Sequence, residues 1–234
     1  MEPELGTILG VWAHPDDETY LSAGVMAAAG REGRRVVCVT ATRGEAGSQD
    51  EQRWPASDIA RIREAELDEA LTILGVREHH WLDYRDGTCE SVPHEEGVAK
   101  VATILEAVAP DTVLTFGPDG QTGHHDHIAV SRWTTAAFER AAKPGARLCY
   151  ATVTPDWAQS FVDTLNQHNV FEPGTPEVTP VEELSINFSV TGDLLEAKVR
   201  ALRAQISQTE GLIAALGEEF LRSGISEETF RRAR

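Results

Sequence analysis

The segment Val36-Val37-Cys38-Val39-Thr40 places four apolar residues in succession with no polar alternation. A strand with one face in water alternates. One this uniformly apolar is covered on both faces, as the inner strands of a parallel sheet are. Residues 7–13, Thr112-Val113-Leu114-Thr115-Phe116 and Leu148-Cys149-Tyr150-Ala151-Thr152-Val153 have the same character, with a shorter strand at His80-Trp81-Leu82. Helical periodicity fills the gaps, over 18–30, from a Ser57 or Asp58 cap to Gly75, over about 95–109 and over 126–142. Alternating β and α with short joins implies right-handed crossovers and a Rossmann-like, doubly wound, mostly parallel sheet flanked by helices.

Beyond residue 153 the pattern weakens. Pro155, Pro173, Pro176 and Pro180 interrupt it, and no structure is expected over 172–181. Ile186-Asn187-Phe188-Ser189-Val190 alternates like an edge strand, and Leu195, Val199, Leu202 and Ile206 form a helical stripe that would pack on the sheet. The last ten or so residues are charged and are expected to fray. With no repeat and no linker, the 234 residues are expected to form one domain, 1–234, with its core in 7–153 and an extension over 154–234.

A net charge of −17 argues against binding nucleic acid or an anionic membrane, whose phosphates it would repel. No run reaches the roughly 18 apolar residues of a membrane span. The acidic start, Met1-Glu2-Pro3-Glu4-Leu5, does not resemble a signal peptide, so a cytoplasmic location is expected. Cys38, Cys89 and Cys149 are odd in number and lack paired spacing, and Cys38 and Cys149 read as buried thiols rather than a disulfide.

Two clusters stand apart, each at the end of an expected strand: His14-Pro15-Asp16-Asp17-Glu18 after the first and His124-His125-Asp126-His127 after the fourth. Open parallel sheets bind ligands at the carboxyl ends of strands, where the strand order reverses. Imidazole and carboxylate with an open position suit zinc, iron or manganese better than magnesium. The first turn carries carboxylates instead of a glycine fingerprint, which disfavours a pyrophosphate and hence a nucleotide-binding reading. A catalytically silent metal-binding or interaction protein is a further alternative.

These two motifs, in this order, resemble the LmbE/PIG-L family of zinc-dependent N-acetylglucosaminyl deacetylases. Thr42-Arg43-Gly44-Glu45, Arg63-Glu64, Leu74-Gly75 and Asp86-Gly87 also fit, and a weaker echo occurs at Lys198 and Ser207-Gln208. The resemblance implies His14, Asp17 and His127 as zinc ligands and Asp16 as general base. It implies His124 as the group that stabilises the oxyanion or protonates the amine, oriented by Asp126, with Arg63 and Asp86 as substrate contacts. Arg63 reads equally well as an ordinary ion-pair partner.

The implied activity is hydrolysis of the acetamide of a small N-acetylated sugar conjugate, or of a larger amide, with homo-oligomerisation left open. Such chemistry needs a polarised carbonyl and a base beside the attacking water, which explains two adjacent aspartates. An imidazolium kept charged by a carboxylate would meet the developing oxyanion. Glu18 is assigned to the helix start and to support behind the site. His125 stands where the family has Pro and reads as a solvated bystander or a competing ligand. Gln205 stands where the family often has His, which puts a site role for its helix in doubt. His79, His80 and His94 read as surface residues, and His168 cannot be placed.

Overall fold

The computed structural model describes residues 5–233; the N-terminal segment 1–4 read above for targeting lies outside them. Five parallel strands form the sheet's main body: β1 (Ile8–Trp12), β2 (Val36–Thr42), β3 (Glu78–Tyr84), β4 (Thr112–Phe116) and β5 (Arg147–Thr152). Helices α1 (Asp17–Arg31), α2 (Ile59–Leu74), α3 (His94–Val108) and α4 (His125–Ala141) connect them. Every residue of β1, β2 and β4 is buried, as their unbroken apolar runs require. Gly75 ends α2 in the left-handed conformation, at φ 75°, where a side chain would be strained.

The spatial order is β3-β2-β1-β4-β5-β7-β6. The chain winds outward from β1 to β3, returns to place β4 beside β1, and winds the other way. Ile8 pairs with Thr112 and Gly10 with Leu114, so the two motif-bearing strand ends are neighbours at the switch point.

Residues 154–233 add α5 (Pro155–Asn166), β6 (Leu184–Ser189), α6 (Gly192–Ala204), α7 (Ile206–Leu216), α8 (Glu218–Gly224) and β7 (Glu227–Arg232). The late strand lies at the sheet edge, as its alternation suggests. The expected frayed end is corrected: β7 lies inside the sheet, antiparallel to both β5 and β6. Only Thr229 and Phe230 interrupt its charged residues, yet Glu228 is buried because Lys198 Nζ lies 2.7 Å from it. The same carboxylate accepts the N–H groups of Gly24 and Val25 (2.7 and 2.8 Å), welding β7 to α1. Helix α5 also lies in the stretch where no pattern stood out. Thr154 caps it by accepting the Trp157 N–H (3.2 Å), with Pro155 in the first turn, a start signal present in the sequence.

All three cysteines are buried and free. His80 and His94 are exposed, but His79 is half-buried, 3.0 Å from Thr40 Oγ1. Among the described residues no helix is long and apolar enough to cross a membrane.

Candidate active site

The turn leaving β1 is held in an uncommon shape. Asp16 has φ 105°, a region that a residue with a Cβ occupies only under constraint. Three contacts supply that constraint. Its N–H donates to Glu18 Oε2 (3.0 Å), Arg63 Nη2 donates to the carbonyl of Pro15 (2.6 Å), and the same nitrogen lies 3.4 Å from Asp16 Oδ2. Arg63 Nη1 also donates to the Gly44 carbonyl (3.0 Å). A Cβ on Gly44 would meet the guanidinium at 2.0 Å, so glycine there makes room for it. Arg63 therefore clamps the turn; it is 4% exposed and lines the cavity beside Asp16.

Asp17 then points back at the strand end, its Oδ2 accepting the N–H groups of His14 (2.8 Å) and Ala13 (3.2 Å). His14 Nε2 lies 3.0 Å from Asp86 Oδ1 and 3.3 Å from Asp126 Oδ2. These carboxylates hold the proton on Nε2 and leave Nδ1 free. Across the switch point, His127 Nδ1 lies 3.0 Å from the Gly120 carbonyl, which takes its proton and frees Nε2. Phe116, the last residue of β4, stacks on that ring at 4.2 Å.

The free atoms converge. His14 Nδ1 and His127 Nε2 are 3.1 Å apart, Asp17 Oδ1 is 3.4 Å from His127 Nε2, and Asp17 Oδ2 is 3.8 Å from His14 Nδ1. Ligands at about 2.0–2.1 Å from one tetrahedral ion lie roughly 3.3 Å from each other. Two facing imidazole lone pairs beside a carboxylate demand a positive charge between them, so the donor set fits a divalent metal. A proton on Nδ1 competes with a metal for that point. Burial opposes a charged His14, but the hydrogen bonds to Asp126 and Asp86 and the charge of Asp17 outweigh it and raise its pKa to about 10, so a metal bound there would displace this proton. His127, buried and beside a charged His14, is lowered to about 4 despite the pull of Asp17.

Among the described residues two other groupings bring their donor atoms within 4.8 Å of one another: His14 with His124 and His127, and His14 with Asp86 and Asp126. The second is a poor metal site. Its carboxylates are already satisfied: Asp86 accepts the Ala46 N–H (2.9 Å), and Asp126 those of Gly87 (2.7 Å) and Cys89 (2.9 Å). Burial would raise the Asp86 carboxyl, but the hydrogen bond and charge of His14 hold it well below the usual carboxylate range. Asp86, expected at the substrate, thus spends one oxygen positioning His14.

Two expectations about His124 change. The Asp126 carboxylate is turned to His14, 3.3 Å from its Nε2, and does not hydrogen-bond His124. What orients His124 is the backbone N–H of Asp126, donated to Nδ1 (3.2 Å), which makes His124 the cap of α4. Burial and the neighbouring His14 charge lower its pKa, so the ring is neutral with its proton on Nε2. His124 is exposed and stands edge-on to His14 at 4.8 Å. His125 points to the surface, 3.5 Å from Glu90.

Sequence reading allowed Glu18 a supporting place behind the motif but did not anticipate Gln205 there. Glu18 is fully buried, and Gln205 Nε2 donates to its Oε1 (2.7 Å) and to Thr19 Oγ1 (2.8 Å). The departure from the family's His thus fills a structural place behind the turn. Asp16 is the member of the turn that stays open, with 19% of its side chain exposed. Burial, opposed by Arg63 and assisted by Asp17 and Glu18, raises its pKa to about 8. The group faces a cavity of about 490 Å³ that runs from the metal-type donors to residues of α5, α7 and α8.

The chain and its fold are similar to those of known proteins. A deacetylase of Thermomonospora curvata acting on 1D-myo-inositol 2-acetamido-2-deoxy-alpha-D-glucopyranoside is 32% identical, over 95% of this chain and 87% of its own. The zinc-inhibited form of teicoplanin deacetylase Orf2 superposes with a TM-score of 0.70 at 18% identity, over 97% of this chain and 98% of that one. GalB of Pseudomonas putida, a 4-carboxy-2-hydroxymuconate hydratase, superposes at 0.61 with 14% identity, over 98% and 97%. That fold therefore hosts more than one chemistry. The sequence profile of the PIG-L family, described as GlcNAc-PI de-N-acetylase, matches residues 9–138, and the chain belongs to that family.

Proposed function

We propose that this protein is a metal-dependent hydrolase, with zinc as the working ion and iron or manganese as substitutes, that removes the acetyl group from an N-acetylglucosamine-type conjugate. The observation that carries this reading is the convergence of His14 Nδ1, His127 Nε2 and Asp17 on one point beside the open Asp16. His14, Asp17 and His127 would hold a divalent ion, which would supply Lewis acidity toward the amide carbonyl and the attacking water. Asp16 takes the proton from that water, a role suited to a carboxylate whose pKa is tuned toward neutrality. His124 donates its Nε2–H to the carbonyl oxygen as negative charge develops there. The C–N bond then breaks, the proton held by Asp16 passes to the departing amine, and acetate leaves. Asp86 and Asp126 hold His14 in the tautomer this needs, and Arg63 holds Asp16 and borders the substrate.

The free thiols support a reducing, cytoplasmic setting, and the continuation of one sheet into β7 and β6 supports a single domain. The test is acetate and amine release from methyl N-acetylglucosaminide by metal-loaded and chelator-stripped protein. Release only by the loaded form is expected. No release from any N-acetylhexosamine conjugate, with cleavage of other amides, would replace this reading by that of a general amidase.

A further inference from the structure

Residues 117–123 carry the chain from β4 to the cap of α4 and pass along the cavity beside His127. The loop is pinned from outside: the Glu172 N–H donates to the Thr122 carbonyl (2.9 Å) and the Glu177 N–H to Asp119 Oδ2 (2.7 Å). On its inner side the Gly120 carbonyl takes the His127 proton, and Thr122 Oγ1 accepts the His124 N–H (3.4 Å). The Gln121 side chain takes no part in this. It lines the cavity and is 5% exposed, yet among the described residues its buried Oε1 has no hydrogen-bond partner. Its backbone also stands in the left-handed region, at φ 64°. Glycine takes that conformation freely, and a residue with a Cβ does not. A glycine would serve the turn and the Gly120 carbonyl equally well, with no buried amide to satisfy. Two costs meet at one position, and nothing inside the chain offsets either.

Resting on the deacetylase reading, we propose that Gln121 is a specificity-determining residue whose carboxamide hydrogen-bonds a hydroxyl of the sugar that carries the acetamide. A buried polar group without a partner, at a strained position on a cavity, is accounted for by a partner that arrives with the ligand. The last torsion of a glutamine is soft, so either end of the carboxamide can turn to the cavity. A hydroxyl both donates and accepts and so satisfies either end, whereas an alkyl group satisfies neither. A carboxylate or phosphate would call for a cation, and residues 117–123 include none. The contact is separate from those at Arg63 and Asp86. In the order β3-β2-β1-β4, Gln121 follows β4 and Asp86 follows β3, on opposite sides of the strand that leads to Asp16 and Asp17.

The experiment compares methyl N-acetylglucosaminide with its 3-, 4- and 6-deoxy analogues on metal-loaded protein, native and Gln121→Gly. One analogue should lose roughly 10- to 100-fold in kcat/KM on the native protein, the effect of leaving a buried partner unmatched. In Gln121→Gly the parent glycoside should fall by a similar factor and that analogue should not, with bound metal and melting temperature unchanged. Gln121→Asn, which tolerates the left-handed region but withdraws the amide by one methylene, is the second variant and should shrink the same penalty. A native protein indifferent to all three analogues overturns the proposal. So does a penalty that survives in both variants. A uniform loss on every substrate together with loss of metal overturns it as well, making Gln121 a prop for His127. Calorimetric binding of methyl glucosaminide and its deoxy analogues separates the contact from the reaction. A binding penalty that Gln121→Gly abolishes, without acetate release from any glycoside, keeps the contact and removes the deacetylase. Equal binding of all four removes the contact whatever the activity.

Discussion

The two walls of the cavity are held in place by opposite means. The wall from β1, β4 and their turns is a lattice of hydrogen bonds in which nearly every polar atom has a stated partner, down to the tautomer of each imidazole. The wall from α5, α7 and α8 is aromatic and aliphatic, meets itself edge to face, and leaves space. Chemistry at a reacting centre tolerates displacements of well under an ångström and so demands directional bonds. Packing aromatic rings demands only shape and dryness. The first wall lies within residues 9–138, which match the family profile, and the second lies beyond them.

The largest effect belongs to the directional wall. Asp17→Ala removes one of three converging donors, and bound metal measured by mass spectrometry should fall to background together with activity. Asp16→Asn should retain the metal and lower kcat by about 10²–10⁴-fold, the usual contribution of a positioned base; full activity in that variant would reassign the base. Asp86→Asn, which weakens the grip on His14 Nε2 without touching the donors, should cost roughly 10–100-fold in metal affinity. An unchanged affinity there, with a raised KM, would return Asp86 to the substrate.

The weld between the walls gives a stability effect. Lys198→Met leaves Glu228 buried and uncompensated at a cost of about 3–5 kcal/mol, which a thermal melt would read as a fall on the order of 10 °C.

The smallest effect tests a histidine outside both walls. His79 is lowered to about 4 by burial and by the nearby His80 and Arg43 charges, from an ordinary 6.5. The unfolded chain binds the proton more readily, so the stability due to neutral His79 is present above pH 6.5 and is lost as pH falls toward 4. The difference in melting temperature between the native protein and His79→Gln should therefore shrink over that window.

The contrast between walls also accounts for what could be read from sequence. Ile8–Trp12 and Thr112–Phe116 are continuous apolar runs that announce buried parallel strands, and the His-rich turns after them announce a ligand site. Their adjacency follows from winding rules alone. The partner of each side chain was not legible: the Asp126 carboxylate faces His14, while its backbone N–H is what meets His124. Strand β7 was hidden because its charges are neutralised by residues remote in sequence, such as Lys198 and Glu177. In α5, prolines and a short apolar face mask a helix whose apolar positions face a cavity and not the core.

The placement of β7 also sets an order of events during folding. The edge strand β6 pairs in the sheet only with β7, which comes later in the chain and lies between it and β5. Until Glu227–Arg232 has been made, β6 has no ladder to join, and α1 lacks the carboxylate that caps Gly24 and Val25 in its middle. Contacts closing across some two hundred residues are slow to form. Residues as far along as Arg232 must therefore be in place before the helix that carries Asp17 is locked, and the turn at Asp16 matures late.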